Sequence, residues 1–110
     1  MTTASEVPAV TVVICAYTED RWPLMLEAVA SAWRQTVPPQ QVILCIDHNP
    51  GLYRRAVDHW ATNPDGPSTI VENRFPGRLG SSRNTAVELV TGDITAFLDD
   101  DATADPTWLE

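Results

Sequence analysis

Apolar residues gather into four short runs along the chain. They are Val10-Thr11-Val12-Val13-Ile14-Cys15-Ala16, Gln41-Val42-Ile43-Leu44-Cys45-Ile46-Asp47, Ser68-Thr69-Ile70-Val71-Glu72 and Ile94-Thr95-Ala96-Phe97-Leu98. The first two are β-branched and almost unbroken, as strands covered on both faces must be. Between the runs the period changes. Trp22, Met25, Leu26, Val29 and Trp33 fall on one stripe of a helix from about Arg21 to Arg34 and read as core, with Asp20 able to cap it and Pro23 in its first turn. Pro38-Pro39 ends that helix. After a turn at His48-Asn49-Pro50-Gly51, a second helix is predicted from about Leu52 to Ala61, with Tyr53, Ala56, Val57 and Trp60 on one side and His59 as a solvated residue. Asn63-Pro64-Asp65-Gly66-Pro67 is dense in turn formers. A third helix, capped by Ser81 or Ser82, runs to about Val90 and is packed by Ala86, Val87 and Val90, with Gly92 as its stop. Asp105-Pro106 has the look of a fourth helix start.

The order β-α-β-α-β-α-β predicts an α/β fold with a parallel sheet and right-handed crossovers. Residues 1–9 read as a mobile lead and residues 10–110 as part of one domain, cut short at Glu110. The hydrophobic share, 44% of 110 residues, is enough for a core. Seven basic and 15 acidic residues leave a net charge of −8, which argues against a nucleic-acid surface but not against a nucleotide whose phosphates are bridged by a metal. No apolar run approaches the ~20 residues of a membrane helix, and Met1 to Glu6 lack the pattern of a signal peptide. Cys15 and Cys45 each lie inside an apolar run and read as buried thiols, which fits a reducing cytoplasmic compartment.

Candidate chemistry concentrates where the fourth run meets Asp99-Asp100-Asp101. Three adjacent anions beside a buried strand repel one another and call for a neutraliser. A hard divalent cation such as Mg²⁺ or Mn²⁺ suits carboxylate oxygens; an acidic solvated turn is the plainer reading. In an open parallel sheet the loops after the strands face one way. These loops carry Tyr17 and Glu19, then Asp47, then the three aspartates. If the first and fourth strands are neighbours, the crevice between them is the ligand site. On an extended segment Asp99 and Asp101 point to one side and can share an ion, leaving Asp100 for a ribose or a basic side chain. The segment from Gly77 to Asn84, with Arg78 and Arg83, is either a phosphate loop before a helix N-terminus or a plain loop whose arginines pair with the acidic cluster.

Taken together, these motifs resemble the family-2 glycosyltransferases of the GT-A fold. The matching pieces are Val12-Val13-Ile14-Cys15-Ala16-Tyr17, Ser31-x-x-x-Gln35-Thr36, Val42 to Asp47, Ser82-Arg83-Asn84-Thr85-Ala86, and Gly92-Asp93-Ile94-Thr95-Ala96-Phe97-Leu98-Asp99-Asp100-Asp101. They cover nearly the whole chain from Val10. The resemblance implies a Rossmann-like, mostly parallel sheet with helices on both faces. It also implies transfer of a sugar from a UDP- or GDP-linked nucleotide-diphosphate sugar, with Mn²⁺ or Mg²⁺, to an unknown acceptor. By position, Cys15, Ala16, Tyr17 and Glu19 would line the base and ribose pocket, and Asp47 would hold the base. Arg78 would approach the nucleotide or its phosphates. Asp99, Asp100 and Asp101 would form the Asp-x-Asp motif, with Asp101 first and Asp99 beside it as metal ligands, and with Asp99 and Asp100 on the nucleotide sugar. The family's usual Asp-Asp-Gly-Ser after the second strand is here Asp47-His48-Asn49-Pro50, so His48 stands where a second acidic contact is common. The family's general base lies in a second half, beyond Glu110, and these residues alone are expected to be inactive.

Two other readings fit parts of the chain. Phe97-Leu98-Asp99-Asp100-Asp101-Ala102-Thr103 also resembles the Asp-x-Asp-x-Thr pattern of haloacid-dehalogenase-like phosphatases, with Asp99 as nucleophile, Asp101 as general acid and Mg²⁺. That pattern leaves the three preceding β-α units unexplained. The remaining reading is a non-catalytic nucleotide- or metal-binding fragment.

Overall fold

The computed structural model describes residues 9–73, 86, 87, 90 and 93–109. Its strands are β1 (Val10–Ala16), β2 (Gln41–Ile46), β3 (Thr69–Glu72) and β4 (Ile94–Asp99), and its helices are α1 (Trp22–Trp33) and α2 (Pro50–Thr62). A 3₁₀ turn, Glu19–Arg21, leads into α1. The four strands form one sheet in the order β3-β2-β1-β4, and every pairing is parallel.

Side chains alternate along each strand, so the unbroken apolar runs of β1 and β2 feed two cores. Val12, Ile14 and Ala16 of β1 and Val42, Leu44 and Ile46 of β2 face α1 and α2. Val13, Ile43 and Cys45 face the other way, toward Ala86, with Cys15, Val71 and Val90 at the margin. Right-handed crossovers explain the split. From β1 to β2 to β3 the chain steps in one direction, which puts α1 and α2 on one face. To reach β4 it must step back past β2 and β1, and Ala86 and Val90, which precede β4, lie on the opposite face. Ala86 and Val87 have helical backbone; the rest of the predicted third helix except Val90, with Arg78 and Arg83, lies outside the described residues.

The expected stripe on α1 is displaced. Its buried residues are Met25, Ala28, Val29, Ser31 and Ala32, while Trp22 and Trp33 only border the core. Small side chains let a helix lie close on a sheet, and the tryptophans are too bulky for that seam. Thr18, rather than Asp20, caps the approach: its Oγ1 accepts from the Asp20 N–H at 3.1 Å. Helix α2 begins at Pro50, two residues before the predicted start. Asn49 is its cap and accepts from the Leu52 N–H at 3.0 Å, so Asn-Pro is a cap followed by a first-turn proline.

His59 is half-buried rather than fully solvated. It stands edge-on to Trp22 at 5.5 Å and to Trp60 at 5.1 Å between ring centroids. The two helices share one sheet face, so the start of α1 meets the end of α2 there. Asp105-Pro106 does not open a helix among the described residues. Asp105 Oδ1 instead accepts from the Thr107 N–H (3.0 Å) and hydroxyl (2.7 Å), closing an Asx turn.

Candidate functional site

The strand order changes direction between β1 and β4, and open α/β sheets bind ligands at the carboxyl ends of strands flanking such a point. Here Cys15 of β1 is in register with Asp99 of β4. The end of β1 and the acidic turn are therefore adjacent.

After Ala16 the chain turns outward. Tyr17 is 55% exposed. The Thr18 cap then folds residues 19–21 into the 3₁₀ turn, which brings Arg21 back over the end of β4. Arg21 Nη1 lies 3.2 Å from Asp100 Oδ1 and 3.9 Å from Asp101 Oδ2, and the guanidinium carbon is 5.4 Å from the Tyr17 ring centroid. Tyr17, Arg21 and the aspartates thus form one cluster.

The three carboxylates differ in setting. Strand β4 ends at Asp99, and the Ala102 N–H donates to the Asp99 carbonyl at 3.1 Å, so Asp100 and Asp101 lie in a turn. Asp99 and Asp101 therefore do not lie two apart on an extended segment, because the backbone bends after Asp99. The turn nevertheless leaves Asp99 and Asp101 exposed and Asp100 buried at 4% exposure. Among the described residues Asp100 Oδ2, which is buried, has no hydrogen-bond partner. Burial raises the Asp100 pKa above the ordinary carboxylate value, and the hydrogen bond and charge of Arg21 partly offset that rise. Arg21 is shifted up in turn, chiefly by its hydrogen bond to Asp100.

Asp47 follows β2, and its N–H donates to the Ala16 carbonyl at 2.8 Å, tying the two strand ends together. Its Oδ1 accepts from Asn73 Nδ2 at 2.8 Å and lies 2.6 Å from His48 Nδ1. His48 has a positive φ of 49°. Asn49 Nδ2 donates to the Tyr17 carbonyl at 3.1 Å and so links the first two loops. Glu19 Oε1 is 3.5 Å from Arg55 Nη1, and the Arg55 guanidinium lies over the Trp22 ring at 4.0 Å. Cys15 and Ala16 stand at the strand end, but their side chains belong to the cores on opposite faces.

Arg21 and Asn73 went unnoticed in the sequence. Asn73 carries no local signal. Arg21 carries one: a cation at the positive end of a helix is unfavourable unless an anion meets it. Among the described residues no group of three His, Cys, Asp or Glu side chains is placed to hold a metal ion. None of the described helices is long and apolar enough to cross a membrane.

Known proteins resemble this chain in sequence and in fold. The chain is 34% identical over 102 residues to the glucosyl-dolichyl phosphate glucuronosyltransferase of Haloferax volcanii; the match takes in 92% of this chain and 32% of that protein. The mannosyltransferase PcManGT from Pyrobaculum calidifontis, solved in complex with GDP-Man and Mn²⁺, superposes with a TM-score of 0.67 at 30% identity, over 87% of this chain and 28% of its own. S. aureus TarS 1-349, solved in complex with UDP, superposes with a TM-score of 0.69 at 18% identity, over 92% of this chain and 30% of its own, a likeness of fold. The chain spans about a third of the length of these relatives. Its parallel sheet and helices are part of a GT-A domain, and the phosphatase reading finds no support in any of them. With residues 11–110 matching the family model of glycosyl transferase family 2, the chain belongs to that family.

Proposed function

We propose that this chain supplies the donor half of a glycosyltransferase that moves a sugar from a UDP- or GDP-linked donor to an acceptor. The observation that carries the reading is the acidic turn at Asp99–Asp101 beside the end of β1, in a chain of this family. The likeness to a mannosyltransferase solved with GDP-Man and Mn²⁺ supports it.

In this reading the exposed Tyr17 ring packs against the base, with Cys15, Ala16 and Glu19 bordering the base and ribose. Asp47 accepts a hydrogen bond from the base, held in place by the Asn73 amide. Arg78 approaches the phosphates. Asp99 and Asp101 would hold Mn²⁺ or Mg²⁺. The residues fit a cation of that kind: two exposed carboxylates on one turn offer oxygen donors to an ion whose other ligands are waters and phosphate. When bound, such an ion supplies charge stabilisation to the leaving diphosphate. Asp100 holds the turn through Arg21 rather than meeting the ribose. The chain spans about a third of its relatives' length, and residues 1–110 by themselves are expected to show no transferase activity.

The test is calorimetric titration of UDP and GDP into the full-length protein, with and without Mn²⁺, for wild type and Asp101→Asn. Wild type is expected to bind one nucleotide more tightly with Mn²⁺, and Asp101→Asn to lose that increment. Equal, metal-independent binding by both proteins refutes the reading.

A further inference from the structure

Two polar side chains at the far end of α1 are buried: Ser31, on the helix, is 1% exposed, and Gln35, two residues past it, 5%. Both hold the segment that follows the acidic turn. Ser31 Oγ accepts from the Ala104 N–H at 2.9 Å and donates to the Ala28 carbonyl at 2.8 Å. Gln35 Nε2 donates to the Asp105 carbonyl at 2.8 Å and to the Ser31 carbonyl at 3.1 Å, while its Oε1 accepts from the Leu109 N–H at 3.0 Å. The Thr36 N–H adds a bond to the Pro106 carbonyl at 2.9 Å. Residues 102–109 have no regular secondary structure, so these bonds replace the ladder or helix that would otherwise place them.

At its other end the same helix begins beside Arg21, which holds Asp100. A helix of 12 residues spans roughly 18 Å. The acidic turn is thus gripped from both ends of one rigid rod: at its middle carboxylate by Arg21, and from Ala104 onward by Ser31 and Gln35. A turn of three like charges tends to splay, and each grip opposes that.

We infer that Ser31 and Gln35 are positioning residues for the donor diphosphate. Through residues 104–109 they set where Asp99 and Asp101 stand, without touching the ligand; the inference rests on the donor-site reading above. Partners that orient ligating carboxylates typically govern metal affinity by about 10- to 100-fold.

The test uses the full-length protein with Ser31→Ala, Gln35→Met and Ser31→Thr. The first two remove bonds to the segment at little change in volume, and the third keeps the hydroxyl. Affinities for UDP and GDP are measured by calorimetry with Mn²⁺ and with EDTA, beside thermal unfolding. Ser31→Ala and Gln35→Met are expected to weaken Mn²⁺-dependent binding by about 10-fold or more, to leave metal-free binding unchanged, and to be restored in Ser31→Thr. Lower thermal stability with full Mn²⁺-dependent affinity overturns the inference and leaves the donor site standing, as does equal weakening with and without metal. A wild type that shows no Mn²⁺-dependent binding overturns both. Should the α1 variants fail to fold, Ala104→Pro removes the N–H that Ser31 receives while leaving α1 intact, and the same two outcomes apply to it.

Discussion

Arg21 and Asp100 are 79 positions apart in sequence, yet the guanidinium reaches Asp100 Oδ1 at 3.2 Å. Each answers a need of the other. Arg21 stands at the positive end of α1, and Asp100 is a buried carboxylate with one oxygen that meets no hydrogen-bond partner among the described residues. Removing the cation leaves an uncompensated buried charge. Arg21→Met is therefore expected to lower stability to urea at pH 7, and the loss should shrink in acid as Asp100 takes up a proton. Arg21→Lys recovers only part, because an ammonium lacks the planar fork. A variant Arg21→Met as stable as wild type at pH 7 contradicts this account.

Asp100 also predicts a pH dependence. Its pKa is raised on folding by burial, so the folded state binds the proton more readily than the unfolded chain. Its contribution to stability is then fully present below the ordinary carboxylate value and is lost as pH rises through the raised folded value. Asp100→Asn deletes this dependence. In chelator, the stability of Asp100→Asn relative to wild type should climb across that window and flatten above it. Asp105 has the opposite sign, because its hydrogen bonds from Thr107 hold its pKa below the ordinary value. Its contribution is present above the ordinary value and fades as pH falls through the lowered one. Denaturation of Asp105→Ala and wild type from neutral to acid pH should show the two converging.

Gly66 is constrained by Trp60. A Cβ at position 66 would sit 2.5 Å from the Trp60 ring, and the Gly66 carbonyl accepts from Trp33 Nε1 at 3.0 Å. Gly66→Ala is expected to destabilise by about 1–3 kcal/mol through overpacking. Trp60→Val should absorb most of that loss in a double-mutant cycle followed by urea denaturation. Additive losses would show that the contact is not the cause.

Asn49 joins two loops of the site. Its Oδ1 caps α2, and its Nδ2 holds the Tyr17 carbonyl. Asn49→Ala is expected to cost about 1 kcal/mol of stability from the lost cap. Asn49→Asp keeps the cap and drops only the bond to Tyr17. Nucleotide affinity should fall in both variants, while unfolding midpoints separate them. Unchanged nucleotide affinity in Asn49→Asp would detach the Tyr17 loop from the site.

The amino-acid sequence by itself determined the four strands, the first two helices and their order. Unbroken β-branched runs such as Val10–Ala16 can only be strands covered on both sides, and that covering requires helices between them. It also determined where charge accumulates, because Asp99–Asp101 are contiguous. The tertiary structure decided what meets what. That β4 lies beside β1, that Arg21 reaches Asp100, that His59 enters an aromatic cluster and that Ser31 and Gln35 hold residues 104–109 are all long-range facts. Periodicity reports which face of an element is apolar and is silent on its neighbour. A polar residue on such an element reads as solvated until the fold brings its partner, and these partners lie far along the chain.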